Sequence, residues 1–175
     1  PAVSDPGCRV VSAVLDAGAD KVSVSSAAFR NPSLIAGMAA HFGGDRVTVA
    51  IDVDQNPAMP SGYEVYIDGG RTPTGSDAVD FARRMAGDGA GCILPTSKAG
   101  DGARTGYDLP VIRAIAGAVS VPVVASGGAG SLEHFYEAVQ AGARILLAAS
   151  VFHFKIIGIP ELKLYLKTKG VPVIL

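Results

Sequence analysis

The stretch VVASGGAGSLEHF, residues 123–135, passes from apolar residues into Gly127, Gly128 and Gly130 and then into a segment with helical character. Glycine takes positive φ without steric cost, so the cluster suits a strand-to-helix turn. It equally suits a ligand phosphate laid against bare backbone, where N–H groups near a helix start face the anion. The glycines alone leave both readings open. Asp52 closes the apolar run VAID and is the strongest candidate for proton transfer, because a carboxylate at the C-terminal end of a buried strand is placed to exchange protons with a ligand. An aspartate there also suits a turn cap. His41, His134 and His153 lack metal-ligand spacing and read as surface or packing residues. Cys92 precedes an apolar strand with no histidine in sequence reach, which describes a buried, inert thiol. Lys98 and Arg104 offer positive charge to an anion, although a solvated loop charge is the default.

These candidates sit in a chain of 175 residues that is 49% hydrophobic, long enough for one sizeable core in a single domain spanning 1–175. Fifteen basic and sixteen acidic residues leave a formal net charge of -1, so nothing draws the chain to nucleic acid or an anionic membrane. Any phosphate must be bound locally. The two cysteines, Cys8 and Cys92, lie far apart and suit a reduced, cytoplasmic setting. The longest apolar runs fall short of a membrane span. Neither a metal nor a cofactor is expected.

Positioning falls to short apolar runs that alternate with amphipathic segments. KVSVSS (21–26), RVTVAIDV (46–53), GCILPTS (91–97), VPVVASG (121–127) and ARILLAAS (143–150) read as strands buried on both faces. Helices are expected in NPSLIAGMAAHF, in SDAVDFARRMAGDG with Ser76 as N-cap, in YDLPVIRAIAG, in SLEHFYEAVQAG with Ser131 as N-cap, and in IPELKLYLKTKG. The alternation predicts an α/β fold with a parallel sheet. GYEVYIDGG (62–70) breaks the rhythm and predicts a small β-ribbon, either a binding loop or a plain insertion.

An internal echo narrows the architecture. GADKVSVSSAAF from Gly18 and GARILLAASVFHF from Gly142 both run Gly, Ala, strand, Ser and apolar segment, at an offset of 124 residues. A chance match of two short apolar strands would give such an echo, and so would a duplicated (βα)8 barrel of roughly 250 residues, which places equivalent strands at such an offset. The echo then predicts a counterpart of Ser126–Gly130 at residues 2–6, in a loop after a third strand.

Through ADKVSVSSAAFRNPSLI, VAIDV, TSKAGDGARTGYD, ASGGAGSLEHFYEA, AASVFHF and the ELKLYLKTKGVPV tail, the chain resembles the cyclase subunit family of imidazole glycerol phosphate synthase. The likeness runs from Gly18 nearly to the end and is expected to fail upstream. It implies strands four to eight of a (βα)8 barrel, either curved as in the barrel or relaxed toward a flavodoxin-like open sheet. It further implies an ammonia-dependent cyclase and lyase acting on a bisphosphorylated ribulosyl aminoimidazole carboxamide. By resemblance Asp52 is a catalytic acid/base and Asp101 an auxiliary aspartate. Thr96, Gly102, Gly128, Ala149 and Ser150 form one phosphate grip, and Ser26 belongs to the other. The family's second catalytic aspartate lies on strand one, which has no counterpart in the sequence. Cys92 stands where the family has an acidic residue paired with the equivalent of Lys21 in a gate for ammonia. Channelling from a glutaminase partner is therefore placed in doubt. The rival expectation is a phosphate-binding partial barrel without catalysis. Open strand edges predict a homo-oligomer.

Overall fold

A computed structural model describes residues 6–100 and 102–174 of the chain. The first described element is helix α1 (Pro6–Asp16), followed by β1 (Val22–Val24), the short α2 (Ser26–Arg30) and α3 (Leu34–Phe42). A 3-10 turn at Gly44–Arg46 leads into β2 (Val47–Gln55). Then come the ribbon strands β3 (Tyr63–Ile67) and β4 (Thr72–Asp77), and α4 (Ala78–Gly87). The remainder runs β5 (Cys92–Ser97), α5 (Leu109–Ala116), β6 (Val124–Ala125), α6 (Leu132–Gln140), β7 (Ile145–Leu146), α7 (Ser150–His153) and α8 (Ile159–Thr168).

β2 organises the sheet. It pairs in parallel with β1 on one side and with β5 on the other, while its C-terminal half pairs antiparallel with β3. Bridges Ile93/Val123 and Thr96/Ser126 continue the parallel order from β5 to β6, and β7 follows. The parallel strands thus stand in chain order. Along β2, Val47, Val49, Ile51 and Val53 are buried, whereas Thr48, Ala50, Asp52 and Asp54 are half-buried on the other face. Period-two geometry produces this split, and only the valine and isoleucine side is sealed by helices. The other side is concave, because Ser23, Thr48, Leu94, Val124 and Ile145 from all five parallel strands line one cleft. Among the described residues β1 pairs only with β2 and β7 only with β6, so the strands do not close into a barrel.

The core has two parts. One joins α1, α3 and α4 to β2 and β5; the other lies around Phe135, with residues of α5, α6 and α8 packed against it. Phe135 is fully buried, Tyr107 meets it edge-on and Phe152 stacks on it.

Several local expectations are revised. The α4 cap is Asp77 rather than Ser76: its carboxylate accepts the N–H groups of Val79 and Asp80 at 2.9 and 3.1 Å, while Ser76 stays in β4. Ser131 is the N-cap residue of α6 but makes no side-chain capping bond. The nearby Gly130 N–H instead donates to His134 Nδ1 at 3.1 Å, a role the sequence reading missed. The loop predicted at residues 2–6 gives way at Pro6 to the helix α1, a segment assigned no element from the sequence. Cys8 and Val11 point the buried face of that helix at the core. Residues 2–5 of the predicted loop counterpart lie outside the described residues.

Candidate functional site

The C-terminal ends of the parallel strands carry the candidate residues. Asp52 is in register with Thr96 of β5, and Thr96 bridges to Ser126 of β6. These three half-buried or buried positions form a row across the edge. Beyond Ser126, a cleft of 160 Å³ is lined by Gly102, Arg104, Gly128, Leu147, Ala149 and Ser150 among others. Four of the expected grip residues, Gly102, Gly128, Ala149 and Ser150, thus meet around one small hollow. Thr96 lies beside it rather than in its wall.

Close backbone packing builds this hollow. Gly128 has φ +101°, and a Cβ there would fall onto the Gly106 carbonyl oxygen. The Gly106 N–H donates to Gly128 O at 2.8 Å. Gly130 is pressed likewise against the carbonyl of Arg104. The β5–α5 connection therefore lies against the β6–α6 turn, backbone to backbone, which only glycine permits. Tyr107 fastens the far side: its hydroxyl donates to Leu147 O at 2.9 Å, and burial pushes the pKa of that hydroxyl far above the usual tyrosine range. Arg104, itself at φ +57°, places its guanidinium 5.7 Å from the Phe154 ring at the cleft's rim.

The other candidates separate from this cleft. Ser26 begins α2 on the opposite edge, and its hydroxyl oxygen accepts the Asp68 N–H at 2.9 Å. It holds the tip of the β-ribbon. Ser26 and Ser150, the two serines of the echo, each open a short helix after a short strand. Lys98 is no free cation for a ligand: its ammonium ion-pairs with Asp54 at 3.2 Å and lies 3.7 Å from the Tyr66 ring centre. Asp101 lies outside the described residues. Cys92 is buried, and burial pushes its thiol up, with Lys21 and Thr48 opposing the shift. Among the described residues no cluster of His, Cys, Asp and Glu could hold a metal. No described helix is long and apolar enough to cross a membrane.

The sequence profile of the family described as histidine biosynthesis protein matches residues 7–158. The chain belongs to that family. The match corrects the expected loss of similarity upstream of Gly18, because it includes α1. Imidazole glycerol phosphate synthase subunit HisF from Pyrobaculum aerophilum is 54% identical over 157 residues, covering 90% of this chain and 61% of that protein. The chain thus spans about three fifths of the length of this curated relative. An α/β arrangement of parallel strands is the scaffold here, and among the described residues it stands open.

Proposed function

We propose that this chain provides the cyclase activity of imidazole glycerol phosphate synthase, with these 175 residues forming one wall of the active site. The clustering of Gly102, Gly128, Ala149 and Ser150 around one hollow, on the same strand edge as Asp52, supports this reading most directly. In it, the hollow takes one phosphate of a bisphosphorylated substrate. Thr96 borders the path from that phosphate to Asp52. Asp52 trades protons with the closing ring, assisted by Asp101. Ser26, on the far edge, contributes to the second phosphate grip.

The strand order β1, β2, β5, β6, β7 is what the last five strands of a (βα)8 barrel would give. Ring closure by acid/base transfer calls for a second carboxylate across the substrate, and loss of a positioned acid or base costs about 10² to 10⁴ in rate. These residues alone are therefore expected to bind phosphate and not to turn over. The relative is named as a subunit, which favours a partner subunit in this reading as well. Replacement of an acidic residue by Cys92 is too little to set that partner aside.

Titration with inorganic phosphate, followed through backbone amide shifts, tests the grip. Shifts concentrated at Gly102, Gly128, Ala149 and Ser150, with millimolar affinity of the kind a shallow site gives (about 4 kcal/mol), are expected. No shifts there, or shifts spread over the surface lysines, would leave the hollow as a packing feature.

A further inference from the structure

The β-ribbon, which the sequence left between binding loop and plain insertion, is joined to the cleft's own connection by one carboxylate. Asp108, at the N-terminus of α5, accepts a hydrogen bond from the Tyr63 hydroxyl at 2.7 Å and from the Ser97 hydroxyl at 2.9 Å. Tyr63 begins β3, and Ser97 ends β5. Tyr63 and Ser97 are almost fully buried. Burial first, and the bond to Asp108 second, push the Tyr63 hydroxyl up to about 12, so it remains a donor at neutral pH. Ser97 and Asp108 are also the two residues flanking the connection 98–107, which carries Gly102 and Arg104 to the cleft. A bond between them fixes the base of that connection, and Tyr63 ties the base to the ribbon. The ribbon in turn is anchored elsewhere: Ser61 N–H donates to the Asp77 carboxylate at 2.7 Å, and Asp68 N–H to Ser26.

We propose that Asp108 is a positioning residue for the anion cleft, its carboxylate held by the Tyr63 and Ser97 hydroxyls so that the connection 98–107 presents Gly102 and Arg104 to a bound phosphate. The ribbon is then a working brace of the site and not an ornament. The role in binding rests on the anion reading of the cleft; the brace itself does not. A buried hydrogen bond to a charged acceptor is among the stronger ones available, and its loss frees the acceptor to move.

Tyr63→Phe keeps the ring in the core and removes only the hydroxyl, and Ser97→Ala removes the other donor. Both variants of the full chain are compared with wild type by amide hydrogen exchange and by inorganic phosphate titration. Exchange at residues 102–106 is expected to quicken about tenfold in each variant, with β2 and α6 unchanged, and phosphate affinity to fall about three- to tenfold. Unchanged exchange at 102–106, or equal quickening throughout the chain, overturns the brace. Quickened exchange with phosphate affinity equal to wild type overturns the link to the cleft. If wild type takes up no phosphate, the anion reading fails on its own, and the exchange comparison still decides whether Asp108 fixes the connection.

Discussion

Gly128 shows how far a single residue can be read. Its place after a buried strand suggested either a turn or a phosphate contact, and both demands fall on the same backbone. At φ +101°, with the Gly106 carbonyl where a side chain would begin, glycine is required before any ligand arrives. Gly128→Ala is therefore expected to lower stability by about 1–3 kcal/mol from the left-handed backbone alone, and more from the collision, read as a reduced denaturant midpoint. A variant as stable as wild type would contradict this packing. For the same reason a bulky residue at 128 cannot separate a ligand role from a structural one. Asp52 was legible from its position at the end of VAID, because strand ends on one edge of a parallel sheet converge. Arg104 was legible only as a loop charge and the Tyr63–Asp108 bond not at all, since their partners Phe154 and Asp108 lie far off in sequence and only the folded backbone brings them near, whereas His134, read as a surface or packing residue, bonds to Gly130 only four residues back.

At the level of elements, β2 and β5 were plain because their buried runs are long, and α4 between them carried clear amphipathic spacing. β6 and β7 keep only two paired residues each, so their apolar runs overstate the ladder. α1 was not legible because Pro6, Gly7 and the small polar residues before them read as loop, whereas Cys8 and Val11 begin a buried helical stripe. The two terminal strands of the parallel order have the plainest consequence. Among the described residues β1 and β7 each pair on one side, and Ile145 and Leu147 of the β7 region remain 46% and 41% exposed. Unpaired edges beside exposed aliphatic side chains are templates for another strand. Light scattering of the isolated chain at micromolar concentration is expected to report a dimer or larger species. A monodisperse monomer would mean that these edges are covered in a way the strand order does not provide.

Across the whole molecule, the five parallel strands, their shared edge and the family membership converge on one account. In the proposed account, one wall of a cyclase site would carry a phosphate hollow and one acid/base carboxylate, Asp52. The near-neutral net charge supplies no long-range attraction for a bisphosphate, so affinity must come from contacts on that edge. Positioning between two walls supplies much of the acceleration of such reactions, and one wall alone forfeits it. The most direct test is ammonia-dependent turnover of the bisphosphorylated ribulosyl substrate, measured for the chain alone and mixed with a polypeptide carrying the first three strands of the family barrel. The account predicts no turnover by the chain alone, measurable turnover from the mixture, and a loss of about 10² or more on Asp52→Asn. Turnover by the chain alone, or a mixture indifferent to Asp52→Asn, would contradict it.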